Sequence, residues 1–184
     1  MKIKNFKVNI RLKEVYSALK NKDIKITPEI ETLISVVERE VSEVLTPAVI
    51  FDTFEVKDKS VEKILGVISP QKNTQFISLI ATTLGLDVDK FIFSTTDIMK
   101  INIAEIIVQE YLSSAVLFVI KVIQERLDEN LQPSSAFLIP EQLYEDITNI
   151  LQTEKINIKY LKEENKLLPA SSCLNYVYWF KSKK

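Results

Sequence analysis

Histidine is absent from this chain of 184 residues. Its absence excludes Ser-His-Asp and Cys-His nucleophiles, most zinc sites and every imidazole ligand to a metal cofactor. Glycine occurs only at Gly66 and Gly85, which is too few for a phosphate-binding loop or a dinucleotide fingerprint. The one cysteine, Cys173, cannot form an internal disulfide, and its apolar neighbours predict a buried structural thiol rather than a nucleophile.

The rest of the composition is typical of one ordinary globular domain. Hydrophobic residues make up 46% of the chain and charged residues 27%, which argues against disorder, and the length predicts one domain spanning 1–184. The net charge of −1 provides no field that would attract nucleic acid. Lysine and arginine are concentrated in residues 1–25. Such a segment is either a solvated face or a docking patch for an acidic partner, and both interpretations stay open.

No segment of the sequence predicts export or membrane insertion. Residues 1–13 are too charged to contain the apolar core of a signal peptide. The most apolar window, 103–123, is interrupted by Glu105, Gln109, Glu110 and Lys121, which a membrane helix would avoid. We therefore expect a buried core helix in a cytoplasmic protein that does not contact a membrane.

The spacing of apolar residues predicts several helices. One is well delimited, because Thr27 is a good N-cap, Pro28 fits the first helical position and Pro47 ends the helix. The longest predicted helix begins at Thr96 or Asp97 and is apolar almost all round, so other elements should surround it. The predicted helices cover about 11–21, 28–45, 86–93, 96–129 and 141–152, with Pro140 at the start of the last.

β-branched and aromatic residues predict strands at 48–56 and 75–81, and the second is followed by a tight connection at 82–85. Two shorter strands, 156–161 and 166–168, flank a polar turn and predict a hairpin. Residues 61–67 are ambiguous and 131–140 predict a loop. Because helices and strands are interspersed without a regular βαβ rhythm, we predict an α+β fold.

Three groups of residues are candidates for chemistry, and none is specific. Asp87 and Asp89 are either a weak metal pair or carboxylates at a helix start. Glu105, Gln109 and Glu110 interrupt the long apolar helix, either as buried functional groups or as a stripe that reaches water. A third group consists of aromatic residues that either stack a flat ligand or pack in the core or an oligomer contact. Its members are Tyr176, Tyr178, Trp179 and Phe180.

Four segments follow one another in an order that is similar to a known family. They read EVYSALKNKDIKITPEIETLI, PAVIFDTFEV, QFISLIATTLGLDVDKFI and INIKYLKEENKLLPASS. Together with the long helix they resemble the activation (reactivation) domain of cobalamin-dependent methionine synthase over roughly 11–175. The resemblance implies an α+β fold in which a long central helix packs with further helices against an antiparallel or mixed β-sheet.

The resemblance also implies a function. The family's domain binds S-adenosylmethionine in a shallow groove and presents its methyl group to an oxidised, inactive corrinoid, while a flavodoxin-type donor supplies the electron. Implied partners are a cobalamin-dependent methionine synthase or another corrinoid protein and the electron donor, with no metal held by this chain. The domain contributes positioning, and the cofactor carries the chemistry. Whether the chain counts as an enzyme, as part of a methyltransferase reactivation system, is left open by its residues.

The family's ligand motif, R-x-x-x-G-Y, follows the long helix and matches residues 132–137. The resemblance assigns ligand binding there, although all three defining residues differ. Gln132 replaces the bidentate arginine, Ala136 the glycine and Phe137 the tyrosine. The lost hydrogen bonds would cost about 2–4 kcal/mol, or roughly 30- to 1000-fold in affinity. The assigned positions are Gln132, Ser134, Ser135, Ala136 and Phe137.

Two alternatives stay open beside S-adenosylmethionine binding. The first is a non-enzymatic interaction scaffold that uses the basic N-terminal segment and the aromatic C-terminus as contact surfaces. The second is a protein that binds a less charged small molecule in the same groove, because the loop from Ala136 to Ile139 is apolar.

Overall fold

The computed structural model describes residues 1–181, which form six α-helices and eight β-strands. The helices are α1 (Leu12–Asn21), α2 (Pro28–Val44), α3 (Glu62–Ile68), α4 (Leu86–Ser94), α5 (Ile98–Gln124) and α6 (Tyr144–Leu151). The strands are β1 (Lys2–Lys4), β2 (Ala48–Glu55), β3 (Thr74–Thr83), β4 (Leu131–Pro133), β5 (Phe137–Leu138), β6 (Lys159–Leu161), β7 (Lys166–Leu168) and β8 (Ser172–Lys181). Short 3-10 turns at Lys59–Val61, Glu141–Leu143 and Thr153–Ile156 adjoin α3 and α6.

Side-chain caps fix the two helix starts that the sequence predicts best. The Thr27 hydroxyl accepts the backbone N–H of Ile30 at 3.4 Å, and Pro28 is the first helical residue of α2. The Asp97 carboxylate accepts the N–H of Lys100 at 3.0 Å, so Asp97 rather than Thr96 caps α5. Both caps satisfy donors that the first helical turn leaves without partners.

The predicted end of the long helix at 129 is wrong, because α5 stops at Gln124. The Asp128 carboxylate accepts the backbone N–H of Asn130 at 2.9 Å, and the N–H of Leu131 donates to the Asp128 carbonyl at 2.9 Å. A short polar side chain that bonds its own backbone competes with the helix and favours a turn. This turn leads the chain directly into β4.

The main sheet is antiparallel throughout and has the order β1-β2-β3-β8-β4, with β5 also paired to β8. Residues 171–180, for which no element is predicted, thus contribute the interior strand β8. The predicted loop at 131–140 contains two strands, and residues 82–83 belong to β3 rather than to a tight connection. These differences share one cause: β8 offers hydrogen-bonding groups on both sides, and its neighbours extend along them.

Other parts of the prediction are confirmed or refined. Segment 61–67 is helical, since it lies almost wholly in α3. β6 and β7 form the predicted hairpin, although residues 156–158 precede its first strand. Pro140 precedes a 3-10 turn that leads into α6, rather than starting the α-helix itself.

The core lies on both faces of the sheet and among the N-terminal helices. On one face, α5 covers a cluster of buried residues that includes Val177 and Trp179. On the other, α6, α3 and the β6–β7 hairpin cover a second cluster. A third cluster lies between α1, α2, α4 and the first half of α5. By length and composition α5 is apolar enough to cross a membrane, but 61% of its most apolar stretch is buried in this fold, as predicted for a core helix.

Gly85 joins β3 to α4 in a conformation that other residues avoid. Its φ is 98° and its ψ is 159°, and a Cβ atom placed there would lie 1.9 Å from the Thr46 hydroxyl oxygen. This backbone region is populated almost exclusively by glycine. By contrast, a Cβ at Gly66 in α3 would meet no atom within 4 Å. The fold therefore requires glycine at position 85, whereas position 66 has space for a side chain.

We expect Gly85→Ala to lower the free energy of unfolding by about 1–3 kcal/mol, because alanine is strained at this φ and ψ. The matched variant Gly66→Ala should raise it by about 0.5–1 kcal/mol, because alanine is the better helix former. Denaturant unfolding followed by circular dichroism measures both changes. Equal effects of the two substitutions would contradict the backbone conformation at Gly85.

Candidate functional site

The predicted ligand loop lies along the edge of β8. In β4, Gln132 is opposite Phe180 and Pro133 is opposite Trp179. In β5, Phe137 is opposite Tyr176. Residues 134–136 connect the two short strands and bulge away from the ladder. The structure therefore brings the predicted loop together with the aromatic residues at the end of the chain.

Ser134 replaces the missing ladder bonds in the middle of this edge. Its backbone N–H donates to the Tyr178 carbonyl at 2.8 Å, and its hydroxyl oxygen accepts the Tyr178 N–H at 3.0 Å. The same hydroxyl donates to the Ser135 carbonyl at 2.6 Å. One serine thus satisfies both backbone groups of Tyr178 and holds the bulge against β8. These bonds give Ser134 a structural role, and the ligand contact assigned to it stays a prediction.

Four aromatic rings lie on one face of this edge, and we call them the aromatic edge. Opposed residues of antiparallel strands share a face, and so do alternate residues along one strand. The Phe137 and Tyr176 rings stack with centroids 5.3 Å apart. Tyr176 and Tyr178 meet edge-on at 5.2 Å, and Tyr178 lies 6.3 Å from Phe180. These distances are typical of favourable aromatic pairs.

The rings differ in how far they are available to a ligand. Phe137 is 41% exposed, whereas Tyr178 is buried and donates its hydroxyl proton to the Ile68 carbonyl at 2.7 Å. Burial raises the pKa of Tyr178 well above its usual value, so this hydroxyl stays protonated and anchors the edge to the last residue of α3. The accessible part of the aromatic edge is therefore the outer face of Phe137 and the half-buried ring of Tyr176.

The surroundings of the aromatic edge are polar but carry no formal charge between residues 132 and 140. Gln132 is exposed and shares a face with Phe180. The Asn175 amide donates to the Phe137 carbonyl at 3.3 Å, while its buried side-chain oxygen has no hydrogen-bond partner among residues 1–181. Ala136 packs against the cluster that contains Trp179, on the other face of the sheet. This face can stack a flat ring and hydrogen-bond its substituents.

The sequence predicts both halves of this site as candidates, but not their proximity. Tyr176, Tyr178 and Phe180 recur at every second position, which is the period of one strand face. That spacing was the available signal that they share a surface. Their proximity to Phe137 depends on a pairing between distant parts of the chain, which no local pattern encodes.

The two aspartates after Gly85 do not share a site. Asp87 is exposed and pairs with Lys90 at 2.7 Å. Asp89 is buried and accepts the backbone N–H groups of Ala170 at 2.6 Å and Ser171 at 2.9 Å. Both lie in the first turn of α4, which confirms their interpretation as carboxylates at a helix start. Among residues 1–181, no group of three or more potential metal ligands occurs.

The polar residues of α5 divide into two sets. Glu105 and Gln109 are exposed on the stripe that reaches water, as predicted. For Glu110 that interpretation is wrong, because its side chain is buried and held by Arg11, with 2.7 Å between Nε and Oε1 and 3.2 Å between Nη2 and Oε2. The hydrogen bond to Glu110 raises the pKa of Arg11. This bidentate pair fastens the start of α1 to the middle of α5.

Cys173 has the role that its neighbours predict. It lies at the start of β8, and burial of the sulfur raises the pKa of the thiol to about 12, although the residue as a whole is partly exposed. A thiol with so high a pKa is a poor nucleophile at physiological pH.

Comparison with known proteins identifies the fold. No family model and no curated protein matches this chain. Among solved structures, the chain is similar to a crystal structure of the MetH reactivation domain bound to AdoHcy, with a TM-score of 0.63 over 100% of this chain and 79% of that one. The sequence identity is 12%, so the likeness establishes the fold alone. It confirms the predicted α+β architecture, with a long helix and further helices packed against an antiparallel sheet.

Removing the Ser134 hydroxyl should loosen the edge. We expect Ser134→Ala to lower the free energy of unfolding by about 1–2 kcal/mol, because the Tyr178 N–H loses its acceptor. The change should also speed amide hydrogen exchange in residues 131–138. Ser135→Ala is the control, since this neighbouring side chain is exposed, and it should change stability by less than about 0.5 kcal/mol. If both variants match the native protein, the hydroxyl does not hold the bulge.

Thiol labelling reports on Cys173 alone, because the chain has one cysteine. About one thiol in ten thousand is ionised at pH 8 when the pKa is near 12. We therefore expect iodoacetamide to leave the folded protein unmodified under conditions that label it fully in urea, as measured by mass spectrometry. Comparable labelling of the folded protein would show that the start of β8 opens readily.

Proposed function

We propose that this protein binds S-adenosylmethionine at the aromatic edge and positions it for methyl transfer to a corrinoid held by a partner protein. The observation that carries the proposal is the fold, which is similar over the whole chain to a reactivation domain bound to AdoHcy. AdoHcy is what remains of S-adenosylmethionine after it gives up its methyl group. The proposal thus extends the neighbour's ligand class to this chain.

The geometry of the aromatic edge supports binding of an adenine-containing ligand. The outer face of Phe137 offers a stacking surface, and the stacked Tyr176 ring stabilises its orientation. Gln132 of β4 is opposite Phe180 and so lies on the same face of the sheet. Its amide can donate a hydrogen bond to a carboxylate. Because a neutral amide replaces a fixed-charge guanidinium, we expect weak binding.

The proposed role needs positioning rather than a catalytic side chain. One electron from a flavodoxin-type donor and the methyl group of S-adenosylmethionine would return the partner's corrinoid to its methylated state, releasing S-adenosylhomocysteine. The partner would be a cobalamin-dependent methionine synthase or another corrinoid protein. This chain would hold the ligand and shield it, which is compatible with its lack of histidine.

A second candidate is a less charged aromatic ligand at the same edge. It is favoured by the exposure of two apolar side chains, with Phe137 41% and Leu138 71% exposed, and by the absence of charge in 132–140. The same exposed surface would serve an interaction scaffold that has lost the ligand. The titration below separates these candidates from the first.

A positive charge at position 132 should strengthen S-adenosylmethionine binding. We expect Gln132→Arg to tighten the dissociation constant by about 10-fold or more, because a charge-assisted bidentate hydrogen bond replaces a neutral one. Isothermal titration calorimetry with S-adenosylmethionine and S-adenosylhomocysteine measures the change. Ser35→Arg is the control, because it adds the same charge to an exposed position on α2 and should leave affinity unchanged.

The result that removes the methyl-donor role is absence of heat at millimolar ligand for both the native protein and Gln132→Arg. Retained binding of adenosine in that case would favour the uncharged ligand, and no binding of either would favour the scaffold. If S-adenosylmethionine binds, a corrinoid protein lacking its own reactivation domain tests the partner. Its absorption spectrum should return to the methylated form only when this protein, S-adenosylmethionine and the electron donor are all present.

A further inference from the structure

A cavity lies between helices α1, α4 and α5, away from the aromatic edge. Its volume is about 720 Å³, within the range of small-molecule sites in proteins. The water-reaching stripe of α5 forms its floor, with Glu105, Gln109 and Ser113 one helical turn apart. One face of α1, the end of α4 and residues 170–171 complete its walls. It shares no lining residue with the aromatic edge.

The charges around this cavity are predominantly negative. Four carboxylates and one lysine line it, namely Glu14, Asp89, Glu105, Glu110 and Lys22. Glu110 is neutralised by Arg11. Asp89 is 4% exposed and is satisfied only by two backbone N–H groups, so its charge acts within a poorly solvated wall. The side chains that line the cavity therefore include more negative than positive groups.

Two of these carboxylates are available to a ligand. Neither Glu14 nor Glu105 forms an ion pair with another of the residues 1–181. Both line the cavity, Glu14 from α1 and Glu105 from α5. Side-chain amides and hydroxyls at Asn21, Gln109 and Ser17 add further hydrogen-bonding groups.

The remaining surface of the cavity is apolar. Val15 and Ala18 of α1, Ile92 of α4 and Ile106 of α5 line its interior. Phe93 also lines the cavity and is 81% exposed. An exposed aromatic ring beside unpaired carboxylates is a combination that binds organic cations, through stacking, cation–π contact and charge.

We propose that this cavity binds an organic cation of roughly nucleoside size that carries an apolar or aromatic body and a primary ammonium group. The body lies against Ile92, Ile106 and Phe93, and the ammonium group bonds to Glu105 and Glu14. The concave shape and the volume favour a small molecule over a helix or loop of a protein partner. The inference is independent of S-adenosylmethionine binding at the aromatic edge, since either site can exist without the other.

Three indole compounds that differ in charge test the proposal on the full-length protein. Tryptamine carries an ammonium group, tryptophol a neutral hydroxyl and indole-3-propionate a carboxylate, on the same ring. We expect tryptamine to shift the amide resonances of cavity residues in α1, α4 and α5 saturably in nuclear magnetic resonance titrations. Tryptophol should bind roughly 3- to 10-fold more weakly, and indole-3-propionate weaker still, because each loses the charge-assisted bond.

Substitutions separate the contribution of charge from that of structure. Glu105→Gln should weaken tryptamine binding by roughly 3- to 10-fold and leave tryptophol binding unchanged, because only the ammonium group senses the lost charge. Phe93→Ala should weaken the binding of both compounds. Because the Phe93 side chain is exposed, its removal should leave the fold intact, so a folding defect would not explain the loss of binding. Glu129→Gln removes the same charge from an exposed turn beyond α5 and serves as the control.

Three results would overturn the proposal. The first is equal affinity for tryptamine and indole-3-propionate, which would show that the negative charge does not select the ligand. The second is a set of shifts confined to the aromatic edge or scattered over the surface. The third is the absence of a saturable shift at about 10 mM tryptamine. The dissociation constant would then be too high, and the binding free energy too small, even for a weak site.

Discussion

The apolar surface of α5 is the constraint on which the rest of this structure depends. Its buried residues lie on almost every side of the helix between Ile103 and Ile123, so neither a sheet nor a helical layer alone can cover it. The sheet covers its C-terminal half, and α1, α2 and α4 cover its N-terminal half. The covering elements leave exposed the stripe of α5 that includes Glu105, Gln109 and Ser113. The cavity between α1, α4 and α5 lies on that stripe. The polar turn that ends α5 at Gln124 then delivers the chain to the edge of β8.

Features that depend on neighbouring residues could be predicted from the sequence. The caps Thr27 and Asp97 act within a single helical turn, and β2 is rich in β-branched residues over its length. The interior strand β8 could not be predicted in the same way. β8 gains its conformation from β3 on one side and from β4 and β5 on the other, and these partners lie far away in sequence. Non-local pairing determines both the extension of β3 to Thr83 and the strands hidden in a predicted loop.

The candidate site was predictable in part, for the same reason. A resemblance predicts a ligand loop at 132–137, and this stays a prediction. The structural role of Ser134 depends on the register between that segment and Tyr178. Helix geometry explains the error at Glu110. Glu105 and Gln109 are four residues apart and share a stripe, whereas Glu110 is rotated about 100° further around the helix and meets Arg11. Sequence proximity grouped three residues that the helix separates into a solvent-facing pair and a buried anchor.

The two proposed sites differ in charge, and that difference separates the ligands that we propose for them. The aromatic edge has no formal charge in residues 132–140, so it tolerates a zwitterion but holds a carboxylate weakly. The cavity is lined by four carboxylates and one lysine, so a ligand that bears its own carboxylate is repelled there, whatever its apolar body. We therefore propose an amino acid-containing ligand such as S-adenosylmethionine for the edge, and an amine without a carboxylate for the cavity. The cavity adjoins α5, whereas the aromatic edge lies on the sheet face that α6 and α3 cover, so occupation of one site can leave the other in place.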